Sequence, residues 1–109
     1  MLDEAIMWRN AAEIAQAEID ADPENAFSWF NLGSSLTRLG ELGGETDFYA
    51  GGAATFDQAF ILGVPPRIVW YQFRPYIAYL KTSRYDDMIG LTDTILTIQG
   101  GRNVEETYL

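Results

Sequence analysis

The chain has 109 residues, 48% of them hydrophobic, and a formal net charge of −9 with only seven Lys and Arg. That length suits one domain with a modest core, and the hydrophobic content argues against disorder. The acidic balance argues against nucleic acid or an anionic membrane as partner, and the absence of Cys and His removes thiol nucleophiles, Cys/His zinc sites and His-based triads.

Residues 3–21 read as a first helix, rich in Ala, Glu and Gln and free of Gly and Pro. Ala5, Trp8, Ala12, Ala15 and Ile19 form one stripe at helical spacing, and Met7, Ile14, Ala17 and Ala21 form a second, so this helix is expected to pack against two neighbours. Asp22-Pro23 ends it, because proline disfavours helix in the residue before it. A second helix is expected over 25–39, with Asn25 as its N-cap and Gly40 as its stop. The polar stretch 41–47 reads as a loop. A third helix runs from about residue 48 to 62 and is broken by the sequence GVPP at 63–66. A fourth is expected over 66–81 with Pro66 in its first turn. Pro75 then falls in its interior and kinks it, at a cost of about 3 kcal/mol. A fifth spans 85–98 and stops at Gly100-Gly101, and a sixth starts at Asn103 with Glu105 and Glu106 in its favourable first turn. No stretch reads as a strand, no apolar run approaches the length of a membrane span, and no signal segment is legible at the start.

Two segments share a pattern. WFNLGSSL (29–36) carries Trp29, Leu32-Gly33 and Leu36, and WYQFRPYI (70–77) carries Trp70, Phe73-Arg74 and Ile77. Each opens a helix soon after a proline and is followed by a second helix, opened by Tyr49 in one case and Tyr85 in the other. Helix pairs recurring at about 35–40 residues indicate a solenoid.

These residues resemble the tetratricopeptide repeat: W-x-x-L-G-x-x-L at 29–36, then Tyr49, Gly52, Phe56, Ala59 and Pro65 or Pro66. The resemblance implies an all-α fold, a short right-handed superhelix of antiparallel helix pairs with about five helices plus the start of a sixth, in one module over residues 1–109. It places Trp29 in the wedge between the second and third helices, with Gly33 and Gly52 letting the two backbones approach. The chain departs from the pattern in the insertion at 41–47, in Arg74, which stands where a small residue belongs, and in Pro75. A narrower resemblance is to the repeat tails of bacterial exported proteins in which a papain-like peptidase domain of the bacteriocin-leader-processing type precedes the repeats. It implies that the chain is a fragment of a longer protein, with the catalytic Cys and His upstream.

At helical spacing Trp70, Phe73 and Ile77 share a stripe assigned to the core. Tyr71 and Pro75 share another, with Tyr79 somewhat displaced. First helices line the concave face of stacked pairs, so Tyr71, Pro75 and Tyr79 are the expected partner-binding residues there. Phe27, Phe30, Ser34 and Arg38, with Thr37, are their counterparts one repeat earlier. The competing reading of Tyr71 and Tyr79 is that they cap core edges with their hydroxyls in water.

The carboxylate pairs Asp86-Asp87 and Glu105-Glu106 do not face each other on a helix, and both sit at helix starts, so capping is expected of them. DADPEN (20–25) lacks the central glycine and terminal bidentate Glu of a calcium loop. GGETDFYAGG (43–52) lacks the lysine and the preceding strand of a phosphate loop. Arg67, Arg74 and Arg84 read as solvated or paired. The expected function is non-catalytic, with no cofactor and no metal: a repeat module that binds a protein, a peptide or an adjoining domain of its own chain. Two alternatives are an accessory segment of an exported cysteine peptidase and an oligomerisation element acting through uncapped repeat ends.

Overall fold

The computed structural model describes residues 2–94, and every regular element among them is helical. The expected end of the fifth helix, the sixth helix at Asn103 and the Trp70 side chain lie outside what is described. The first helix, α1, covers Leu2–Ala21. Ala15 and Ile19 are buried, and Ala5, Trp8 and Ala12 are half-buried, so the first stripe faces the core as its spacing requires. Among the described residues nothing covers the second stripe: Met7, Ile14, Ala17 and Ala21 are all exposed. Among the described residues α1 packs chiefly on one helix, α2.

Asp22 and Asn25 shape the turn between these helices. Asp22 Oδ1 accepts the Glu24 N–H at 3.2 Å, and Asn25 Oδ1 accepts the Phe27 N–H at 3.2 Å, which caps α2, Ala26–Gly43. The second helix passes the expected stop at Gly40. Its left-handed terminator is Gly44, with φ 71°, whose N–H reaches the Gly40 carbonyl at 2.6 Å. Gly40 is a packing residue instead, since a Cβ there would lie 3.1 Å from the Tyr49 ring. The loop expected over 41–47 therefore shrinks to Gly44 and Glu45, and α3 runs over Thr46–Leu62.

So short a connection folds α3 back along α2, and the two backbones meet at glycines. A Cβ on Gly33 would sit 2.8 Å from Phe56 Cδ1; one on Gly52 would strike Thr37 Oγ1 and approach the Gly33 carbonyl to 3.2 Å. The expected close approach at Gly33 and Gly52 is thus present, but its occupant is Phe56, which is 0% exposed. Trp29 is only half-buried. It bridges the main core of Phe30, Ala53, Phe56 and Ala59 and a smaller cluster of Ala15, Ile19 and Leu32. Its indole reaches back to the preceding turn, where Nε1 donates to the Pro23 carbonyl at 2.8 Å.

The fourth element departs most from expectation. Pro66–Trp70 is a 3-10 turn, residues 71–73 are not helical, and α4 is only Arg74–Lys81. Pro75 lies in the first turn of α4, where a missing N–H has no intrahelical bond to forfeit, so neither the kink nor its cost arises. The break also resets which side chains face inward. Phe73, expected in the core, is 61% exposed, whereas Pro75 is buried and Tyr79 is 3% exposed within the main core. A further helix, α5, occupies residues 85–94 of those described.

One polar tie joins α3, α4 and α5. Asp57 accepts the Tyr79 hydroxyl at 2.9 Å and Arg84 at 2.8 and 2.9 Å. Arg84 Nε donates to Asp87 at 2.8 Å, and its guanidinium lies 4.8 Å from the Tyr79 ring centroid. Burial, then the hydrogen bond to Asp57, raises the Tyr79 phenol well above its ordinary value of 10.0. Above about pH 10 the unfolded chain loses this proton while the folded chain keeps it, so the contribution is intact below pH 10 and lost as pH rises. Urea melts from about pH 8 to 11 are expected to show a shallower alkaline fall in stability for Tyr79→Phe than for the parent chain. Identical slopes would count against this burial. No helix among the described residues is long and apolar enough to cross a membrane.

Candidate functional site

Helix α2 presents three faces. Leu32 packs with Ala15 and Ile19 of α1, Gly33 meets Phe56 of α3, and Phe27, Asn31 and Ser34 follow one another by about a turn along the remaining face. That third face floors an open groove of about 500 Å³. One wall is α1, through Trp8, Ala11 and Ile14; the other is Ile68, Gln72 and Arg74, from the 3-10 turn and the start of α4. Ile14 and Phe27, both more than half exposed, stand at its lip. Glu18 lines the same end and accepts the Ser28 hydroxyl at 3.1 Å.

Beside Trp8 and Arg74 of the lining runs a chain of charges. Arg38 donates to Glu4 Oε1 from Nη2 at 2.6 Å and from Nε at 3.0 Å, and its Nη1 lies 3.8 Å from Glu41. Arg74 Nε is 3.8 Å from Glu41, and its guanidinium covers the Trp8 ring at 4.9 Å. Arg38 holds the Glu4 carboxyl below its ordinary value, chiefly by hydrogen bonding. These groups are partly exposed, so they position more than they stabilise. Together they link α1, α2 and α4.

The structure gathers only part of the expected binding surface. Phe27 and Ser34 line the groove, and Phe30 lies beneath it, 4% exposed and in edge-to-face contact with Phe56 at 5.0 Å. Arg38 is half-buried and engaged with Glu4 and Glu41. Pro75 and Tyr79 are core residues, because α4 starts at Arg74 and its register does not continue that of 66–70. Tyr71 is 79% exposed but lies outside the groove, beside a smaller depression shared with Phe73 and Ile77.

Sequence reasoning missed the groove's walls. Ile14 carried a signal, as a member of the second α1 stripe, and so did Arg74, a large cation at a position suited to a small residue. Ile68 and Gln72 carried none, because their placement depends on the 3-10 turn. Chemically the groove offers apolar side chains, neutral amides and hydroxyls, and an arginine already near a carboxylate. Asp86 and Asp87 lie on α5, away from it, with Asp87 bonded to Arg84. Among the described residues no three of His, Cys, Asp and Glu come together in a way that suits a metal ion. No family model, no curated protein and no solved structure matches the chain.

Proposed function

We propose that the chain is a non-catalytic, polypeptide-binding module that holds its partner in the groove over α2. The observation that carries this reading is the continuity of exposed Ile14 and Phe27 with a concave, mainly apolar surface. Exposed apolar side chains are ordinary when scattered, but beside a concavity they mark a binding surface. The walls, α1 and the segment from the 3-10 turn to the start of α4, are linked through the Glu4–Arg38–Glu41–Arg74 chain, which limits the ordering needed when a partner arrives. The glycine contact between α2 and α3 supports a repeat-like helix pair as the scaffold. Selection from a random peptide display library tests the reading. Peptides are expected to enrich, and Phe27→Ser is expected to weaken the selected ones about tenfold at unchanged helicity. No enrichment, or binding indifferent to Phe27, would overturn it.

A further inference from the structure

Resting on that reading, we infer that the groove takes a basic amphipathic helix, with the partner's apolar stripe between Ile14 and Phe27 and its flanks carrying Lys or Arg. The first support is the shape of the surface. Trp8, Ala11, Ala15 and Glu18 stand at i, i+3, i+7 and i+10 on α1, and Phe27, Asn31 and Ser34 stand at i, i+4 and i+7 on α2, all lining the groove. The α1 ridge forms one wall and the α2 ridge the floor, and a furrow lined by rows at helical spacing is a surface into which a further helix seats its own ridge. The second support is the backbone. Both ridges belong to helices, whose N–H and C=O groups are spent internally, so an extended segment would find no ladder to join. A helix arrives with its own backbone bonds made.

Charge selects the flanks. Residues 2–31 hold seven carboxylates and a single cation, Arg9. Glu4 is engaged by Arg38. At the Phe27 end, Glu18 and Asp22 accept hydrogen bonds only from neutral groups among the described residues, the Ser28 hydroxyl and the Glu24 N–H. A Lys or Arg on the partner therefore meets uncompensated carboxylate there, which favours encounter and penalises acidic competitors. A second copy of the chain is the poorer occupant, since it brings the same net charge of −9.

Two synthetic helical peptides of about five turns, one patterned with Leu and Lys and the other with Leu and Glu, provide the probes. Titration calorimetry at about 0.15 M salt is expected to show binding of the Leu/Lys peptide and not of the Leu/Glu peptide. Ile14→Ser and Phe27→Ser leave the net charge unchanged and replace exposed side chains, so circular dichroism should report an intact fold. Each is expected to weaken the Leu/Lys peptide at least tenfold. If both peptides bind equally and both need Phe27, the charge preference is wrong while the groove remains the binding site. If the Leu/Lys peptide binds both serine variants as tightly as the parent chain, its attraction is merely ionic, and both this inference and the groove reading fall. Failure of the Leu/Lys peptide to bind, or a sedimentation mass showing the groove occupied by a second copy, likewise overturns the inference.

Discussion

Phe56→Ala is expected to lower the free energy of unfolding by about 3–5 kcal/mol, and Trp29→Ala by a smaller amount near 2 kcal/mol. Phe56 is fully buried, its ring edge-to-face with Phe30 and seated over the bare Cα of Gly33. Its loss opens a cavity that helices on either side cannot close, because glycine contacts already set the α2–α3 separation. Trp29 is larger but half-buried, and its indole N–H faces the Pro23 carbonyl at a turn that water can enter. Chemical denaturation of the two variants decides the order. An equal or larger loss for Trp29→Ala would mean that the indole, not the Phe56 ring, holds the wedge. For a chain of this length the larger loss is a substantial part of the total stability.

Gly52→Val is expected to cost about 3 kcal/mol, against the general preference of helices for residues other than glycine. The valine Cβ would collide with Thr37 Oγ1 and press on the Gly33 carbonyl, which is backbone and cannot rotate away. A β-branched side chain also has little rotamer choice on a helix with which to escape. Thr37→Ala in the same chain should recover part of the loss by removing the hydroxyl, leaving the contact with the carbonyl. A double-mutant cycle from urea melts measures that coupling. Purely additive effects would place the two residues out of contact.

The parts of the fold legible in the sequence are those fixed by local chemistry. The Asn25 cap, the Asp22-Pro23 stop and the buried stripe of α1 follow from side chains acting within a few residues of themselves. The Gly33–Gly52 approach was legible through the resemblance to the tetratricopeptide pattern, which expects small residues at those positions. Gly40 and Gly44 could not be told apart, since either can end a helix, and the choice was made by the Tyr49 ring, which needs the bare Cα of Gly40. The candidate binding surface was half legible for a related reason. Counting helical turns through Pro75 assumed one continuous helix over 66–81. The break at 71–73 turned Phe73 outward and Tyr79 inward, and no residue count survives such a break.

That α1, among the described residues, rests chiefly on α2 has a bearing on how durable the groove is. Partial opening of a protein costs only the contacts of the part that opens, and a helix with one main neighbour gives up few contacts on release. Release of α1 removes Trp8, Ala11 and Ile14 together, while the α2–α3 pair keeps its own core. On the proposed reading, competence to bind is therefore lost at a lower free energy than the fold itself. By mass action the relation also runs the other way: a segment lodged between the two walls binds only the closed form, so it tightens the attachment of α1 as its concentration rises above its dissociation constant.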